Sequence, residues 1–418
     1  MDYILDGKIS KEGIITDVNI GIEDGKIKEI KKNITGSKTI KIEGLIIPTM
    51  LDLHVHFREP GYTYKEDFET GSLSALFGGV SFVMDMPNTK PVTDNKESFE
   101  EKKRLASAKS YIDFGLFAAV SEKYNEYFVK EVPAFKLYMS ETTGINPKNL
   151  DLLLENASKI AVEKTIFVHS ELKSEFMQGT AKNLREHSMI RPETSEVNAV
   201  RLLISRKLKH MHITHVSSPD TIPYAVSAGY STDVTPHHLF LNYSSDLCAY
   251  AKTNPPVRSK HTADQLWNLL LTGSIDFVAS DHAPHTVEEK EKEFEYAPSG
   301  VPNVETTLPL FLERYREGTI TIERLTDVLS RAPAKLLNIK KGSIEPGFDA
   351  DLIAFRISDA RKIDSRKLHY KCGWSPYEKQ TAIFPHTVIV RGEFKIENFE
   401  LESSAGSGKY YYGDHDNI

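Results

Sequence analysis

Between residues 50 and 339 the chain alternates short apolar runs with longer stretches in which apolar residues return every three or four positions. The apolar runs, at 51–57, 80–86, 114–120, 134–139, 165–169, 211–216, 231–235 and 275–281, predict eight strands. Helices are predicted between them, among others over 95–109, 147–162, 192–207 and 262–271. Strands that alternate with helices form a parallel sheet with crossover helices. Eight such units predict an α/β fold, a closed (β/α)8 barrel of the TIM type, with its active site at the C-terminal ends of the strands.

The two ends of the chain change period. Apolar and polar residues alternate at 18–22, 26–30 and 39–42, punctuated by Glu23-Asp24-Gly25 and Gly36, and the same texture returns at 342–347, 350–355 and 387–392. Both ends therefore predict one small composite β-sandwich domain, 1–49 with 341–418, beside a barrel over 50–340. After Glu402 the run Ser403-Ser404-Ala405-Gly406-Ser407-Gly408, followed by Tyr410-Tyr411-Tyr412, predicts a flexible terminus without a role.

Composition narrows the function classes. With 418 residues, 40% hydrophobic and 27% charged, the chain has the mixture of a globular protein large enough for a barrel and a companion domain. A net charge of −7, with no basic stripe, argues against nucleic acid as a partner. Cys248 and Cys372 stand far apart, which suits a reducing cytosol and indicates neither a disulfide framework nor a thiolate metal site. The N-terminus carries Asp2 and Asp6 where a signal peptide carries positive charge, and no apolar run approaches membrane-spanning length. A cytoplasmic protein without anchor is expected.

The chemistry lies at the strand ends. His54-Val55-His56 closes the first barrel strand, and alternate residues of a strand share a face, so both imidazoles can reach one metal. His169 closes the fifth strand, His215 the sixth and Asp281 the eighth, all nitrogen or oxygen donors suited to zinc or a similar divalent ion. Each alone is the kind of polar residue that ends many strands; five at one rim point to a metal centre. Lys136 sits among apolar neighbours in the fourth strand. Desolvation favours its neutral amine, which can take up carbon dioxide as a carbamate and bridge two metals; a snorkelling or ion-paired lysine is the alternative. Two ions about 3.5–4 Å apart share a hydroxide and polarise a carbonyl. Asp281 is then placed to shuttle the proton from the attacking hydroxide to the leaving nitrogen.

Arg58, two residues beyond His56, could grip a substrate carboxylate or pair with Glu59 or Asp85. Asn88 and Asn254, each beside proline, could meet amide groups or stabilise their own turns. His285 is a further polar candidate, whereas His237 and His238 read as supporting or packing residues.

The motifs Asp52-Leu53-His54-Val55-His56-Phe57-Arg58-Glu59-Pro60-Gly61, Met86-Pro87-Asn88-Thr89, Asn254-Pro255-Pro256-Val257-Arg258 and Ser280-Asp281-His282-Ala283-Pro284-His285 resemble those of the dihydroorotases of the amidohydrolase superfamily. The resemblance implies reversible interconversion of N-carbamoyl-L-aspartate and L-dihydroorotate in pyrimidine biosynthesis. It implies two zinc ions bridged by carboxylated Lys136 and hydroxide, with His54, His56, His169, His215 and Asp281 as the other ligands. Arg58, Asn88, Asn254 and His285 match substrate contacts, Ser299 and Gly300 match backbone contacts to the pyrimidine ring, and Thr142 and Thr143 fall in a loop that is a mobile lid in some relatives. A homodimer, and association with aspartate carbamoyltransferase, are compatible with it. Glu378-Lys379-Gln380 after Ser375-Pro376-Tyr377 replaces the family's usual glycine-rich continuation. The nearest rivals are an allantoinase or hydantoinase, which generally lack an arginine at the Arg58 position, and a silent scaffold homologue, which typically loses metal ligands.

Overall fold

The computed structural model describes residues 1–412. Strands β1 (Tyr3–Lys11), β2 (Ile14–Glu23), β3 (Lys26–Lys31) and β4 (Lys38–Pro48) precede the eight barrel strands. These are β5 (Met50–Val55), β6 (Val80–Asp85), β7 (Asp113–Ala119), β8 (Ala134–Tyr138), β9 (Ile166–His169), β10 (Met211–Ile213), β11 (Ser231–Val234) and β12 (Phe277–Val278). Each falls within or beside one of the eight expected apolar runs. They pair in parallel in chain order, from β5 to β12.

The seam between first and last strand is closed by short contacts rather than a ladder. His56 N–H donates to His282 O at 2.7 Å, and the buried Asp52 carboxylate accepts from Ser280 N–H at 2.9 Å and His54 N–H at 3.2 Å. One aspartate thus fixes both rim segments that carry His54 and Asp281.

Leu51, Leu53, Phe82, Met84, Phe117, Phe167 and Phe277 fill the barrel, and the outward faces of its strands pack on the helices. Side-chain caps set where helices begin: Asn95 accepts from Ser98 N–H, and Ser259 from Thr262 N–H. The helix expected from residue 147 starts only at Leu150, because Asn149 caps it by accepting from Leu152 N–H.

After the barrel come β13 (Leu352–Phe355), a small pair β14 (Arg361–Lys362) and β15 (Thr381–Ala382), then β16 (Thr387–Val390), β17 (Glu393–Glu397) and β18 (Glu400–Leu401). Both chain ends join in one eight-stranded sheet, ordered β18-β17-β16-β13-β4-β1-β2-β3. Leu5, Ile20, Ile22, Ile46, Leu352 and Ile389 form its own core. The sheet is clamped to the barrel by Lys341, whose ammonium lies 2.8 Å from Asp113, 2.9 Å from Asp349 and 2.8 Å from Asp351. These three acids are close enough together to hold a metal, but they already enclose a cation.

The tail corrects the sequence reading. Lys409 O accepts from Phe114 N–H at 2.9 Å, Tyr411 N–H donates to Phe114 O at 2.8 Å, and the Tyr411 hydroxyl reaches Leu337 O at 2.8 Å. The small residues that suggested flexibility permit close approach instead, since a Cβ on Gly408 would stand 1.9 Å from Ile112 O. The rest of the expected flexible segment, 413–418, lies outside the described residues.

Candidate metal centre

The strand ends bring His54, His56, Lys136, His169, His215 and Asp281 into one contiguous buried cluster. His54 Nε2 and His56 Nε2 lie 3.3 and 3.1 Å from Asp281 Oδ1. His169 Nδ1 faces His215 Nε2 at 3.0 Å, and the rings of His54 and His215 stand 5.3 Å apart. Lys136, fully buried, donates to Thr214 Oγ1 at 2.7 Å, and that oxygen is 3.2 Å from His215 Nε2.

Supporting hydrogen bonds orient the rings. Asn88 Oδ1 accepts from His56 Nδ1 at 2.7 Å, so the Nε2 lone pair of His56 faces the Asp281 carboxylate. Glu171, held by Arg191, lies 2.9 Å from His169 Nε2 without the geometry of a hydrogen bond, while His169 Nδ1 faces His215. Asp233 accepts from the backbone N–H of His215 at 2.7 Å. Of these supports, Glu171, Thr214 and Asp233 were not singled out in the sequence, although Glu171 stands only two residues after His169.

Electrostatics agree with a site built for cations. Burial first, then neighbouring positive groups, hold His54, His56 and His215 well below the usual imidazole range; burial also lowers His169. Burial lowers the Lys136 ammonium and raises the Asp281 carboxyl. An imidazole lone pair and a carboxylate oxygen about 3 Å apart repel unless a cation or proton lies between them. Buried His54 Nδ1 and His215 Nδ1 also have no hydrogen-bond partner among the described residues. The donors present therefore fit a nitrogen- and oxygen-liganded divalent metal. The backbone is strained where these groups are presented: Arg58, His215 and Asp281 have φ of +64°, +43° and +47°.

Arg58 is buried beside this cluster and pairs with neither acid expected from sequence. Glu59 is taken by Lys109 and Asp85 by Lys102. Arg58 Nε donates to Pro284 O at 3.2 Å, and a terminal nitrogen lies 3.1 Å from His285 Nε2. The Lys65 ammonium, 3.0 Å from His285 Nδ1, can only donate, so the neutral imidazole carries its proton on Nε2 and gives it to Ser299 O at 3.0 Å. One arm of Arg58 then meets an N–H instead of a lone pair, and no ion pair engages Arg58 among the described residues.

The other expected contacts line the same rim. Asn254 Oδ1 accepts from His187 Nε2 at 2.9 Å and from the Ser299 hydroxyl at 3.2 Å. Gly300 donates its N–H to Lys252 O at 2.8 Å, and its φ of +138° and close approach to Ala283 O exclude a side chain. Buried Lys252 and Lys290 cage the preceding loop. Lys252 donates to Phe294 O and Ala297 O, both at 2.7 Å; Lys290 donates to Pro298 O at 2.9 Å and Gly300 O at 3.0 Å. Thr142 and Thr143 lie in a tight turn closed by paired hydrogen bonds between Thr142 and Ile145, whose Gly144 tip rests near Asn88 and Thr89. His238 is satisfied by Thr235 and Pro255 O, a supporting role as read from sequence; His237 receives the Asn303 amide at 3.1 Å.

Comparison with known proteins gives the family. The amidohydrolase family profile matches residues 45–393. A dihydroorotase of Thermoplasma volcanium is 36% identical over 404 residues, covering 96% of this chain and 95% of its own. One of Methanosarcina acetivorans is 37% identical, covering 98% and 95%. Among solved structures, the L-hydantoinase of Arthrobacter aurescens superposes with a TM-score of 0.91 at 27% identity, over 98% of this chain and 99% of that one. With its barrel, its ring of buried histidines and this match over most of its length, the chain belongs to the amidohydrolase family.

Proposed function

We propose that the protein is a dihydroorotase, interconverting L-dihydroorotate and N-carbamoyl-L-aspartate. The observation that carries this reading is Arg58, a buried guanidinium beside the histidine and aspartate cluster with no carboxylate of its own. A buried cation is costly unless paired, and the substrate carboxylate is the missing partner. The dihydroorotase relatives support it. The hydantoinase likeness is accommodated by the shared barrel, since a simple hydantoin brings no carboxylate to Arg58.

In this reading His54, His56, Lys136, His169, His215 and Asp281 would hold two zinc ions, Lys136 as its carbamate. When bound, the metals supply Lewis acidity to the amide carbonyl and to the attacking water. The chain's own residues do the rest. Arg58 fixes the carboxylate and so aims the ring amide at the centre. Asp281 Oδ takes a proton from the attacking water and delivers it to the leaving ring nitrogen; in the cyclising direction the proton returns by the same route. Asn88 keeps the His56 tautomer that faces inward, and Glu171 backs the His169 ring from its outer side.

Turnover of L-dihydroorotate by zinc-loaded protein, with hydantoin and allantoin as competing substrates, tests this. Selective opening of dihydroorotate is expected. Preference for hydantoin or allantoin, or no turnover despite bound metal, overturns it.

A further inference from the structure

Strand β8 presents a second functional side chain besides Lys136. Residues two apart on a strand share a face, so Tyr138, the last residue of β8, projects into the barrel mouth on the same side as Lys136. Its ring centre lies 5.6 Å from Lys136 Nζ and 6.2 Å from the His169 ring. Tyr138 is 4% exposed, yet its hydroxyl has no hydrogen-bond partner among the described residues. Two residues on, Ser140 is 1% exposed and its hydroxyl is likewise unpartnered. Buried phenols usually find an acceptor, and leaving one unpaired weakens the free protein. A phenol carries its proton at neutral pH and can donate it.

We infer that the Tyr138 hydroxyl is a further substrate-binding group, donating a hydrogen bond to an oxygen of the bound cyclic amide or its opened product. The inference rests on the dihydroorotase reading for the identity of that ligand. Its ring lies against Lys136 and His169, two residues that this reading puts at the metal centre, so the phenol stands at the same barrel mouth as the substrate of that reading. The phenol adds a donor from the β8 side, and among the described residues no protein acceptor competes for it.

The Y138F variant isolates the hydroxyl while keeping the ring. Zinc-loaded wild type and Y138F are compared in kcat and KM for L-dihydroorotate, in affinity for N-carbamoyl-L-aspartate by calorimetry, in metal content and in thermal midpoint without substrate. Expected are unchanged metal, an unchanged or higher midpoint, and a loss of about tenfold or more in kcat/KM. A loss carried by KM assigns the bond to an oxygen held alike before and during reaction, such as the carboxylate. A loss carried by kcat assigns it to an oxygen that gains charge in the reaction. Activity within twofold of wild type overturns the inference, as does a fall in midpoint that accounts for the lost activity. Wild type that neither opens nor binds these compounds overturns the parent reading and this one together; active wild type with unchanged Y138F overturns this one alone.

Discussion

Asn88 Oδ1 and His56 Nδ1 are joined by a 2.7 Å hydrogen bond, and this one contact decides which nitrogen of His56 faces Asp281. Without it the ring is free to turn or change tautomer. N88A is expected to lower metal affinity about 10- to 100-fold with little change in folding. Competition of the purified variant against a chromogenic chelator measures this; wild-type affinity in N88A would show that His56 is oriented by its packing alone.

Arg58 supplies charge, and its removal should spare the metals. R58A is expected to raise KM for L-dihydroorotate by about 10- to 150-fold, corresponding to about 1.5–3 kcal/mol for a charge-assisted bond. Metal content by elemental analysis should match wild type. R58K should recover only part of the loss, because an ammonium cannot reproduce the bidentate fork.

Lys136 is buried against Thr214, where its ammonium form is disfavoured. Native mass spectrometry of metal-loaded protein is expected to show the mass of one added carbon dioxide, absent from K136A. Preparation in carbonate-free buffer should reduce metal uptake, and added bicarbonate should restore it.

Acid should destabilise the fold through His187, whose pKa burial lowers to about 4. The unfolded chain takes up the proton near pH 6.5 and the folded chain does not, so this contribution is complete above pH 6.5 and is lost as pH falls toward 4. Between pH 7 and pH 5 the loss attributable to His187 is about 2 kcal/mol. Urea unfolding of wild type and H187Q at both pH values tests this, with a flatter dependence expected in the variant.

Lys290 caps Pro298 O and Gly300 O, so K290M should loosen the loop that carries Ser299. KM is expected to rise about tenfold with metal content unchanged. Faster protease cleavage within 291–300 would locate the effect, and cleavage at the wild-type rate would refute it.

Much of this architecture was legible because burial leaves a strong signature. The eight barrel runs are apolar on both faces, and the ligands end those runs. Strand β1 was not legible. Its Asp6-Gly7-Lys8 centre looks like a turn, but it pairs on both sides with β2 and β4, and Gly7 is there because Ile46 Cδ1 lies 2.5 Å from where its Cβ would be. The packed tail was missed for a related reason, since Ser and Gly signal looseness unless a partner surface is known. At the site, the inward-facing donors announced themselves by residue type. Thr214, Lys65 and Lys290 did not, because their roles exist only through partners brought close by the fold.

The pairing of β4 with β13 has a bearing on how the protein is made. Pro48 and Leu352 are neighbours in the sheet but about 300 residues apart in the chain. At about 5–20 residues per second, a ribosome that has released β4 needs about 15–60 s to deliver its partner. During that interval β4 has an open edge while the barrel forms beyond it, a nascent state that invites pairing with the wrong strand. A cell that raises the synthesis rate therefore multiplies exposed edges, and slower expression with ample chaperone should improve the yield of native enzyme.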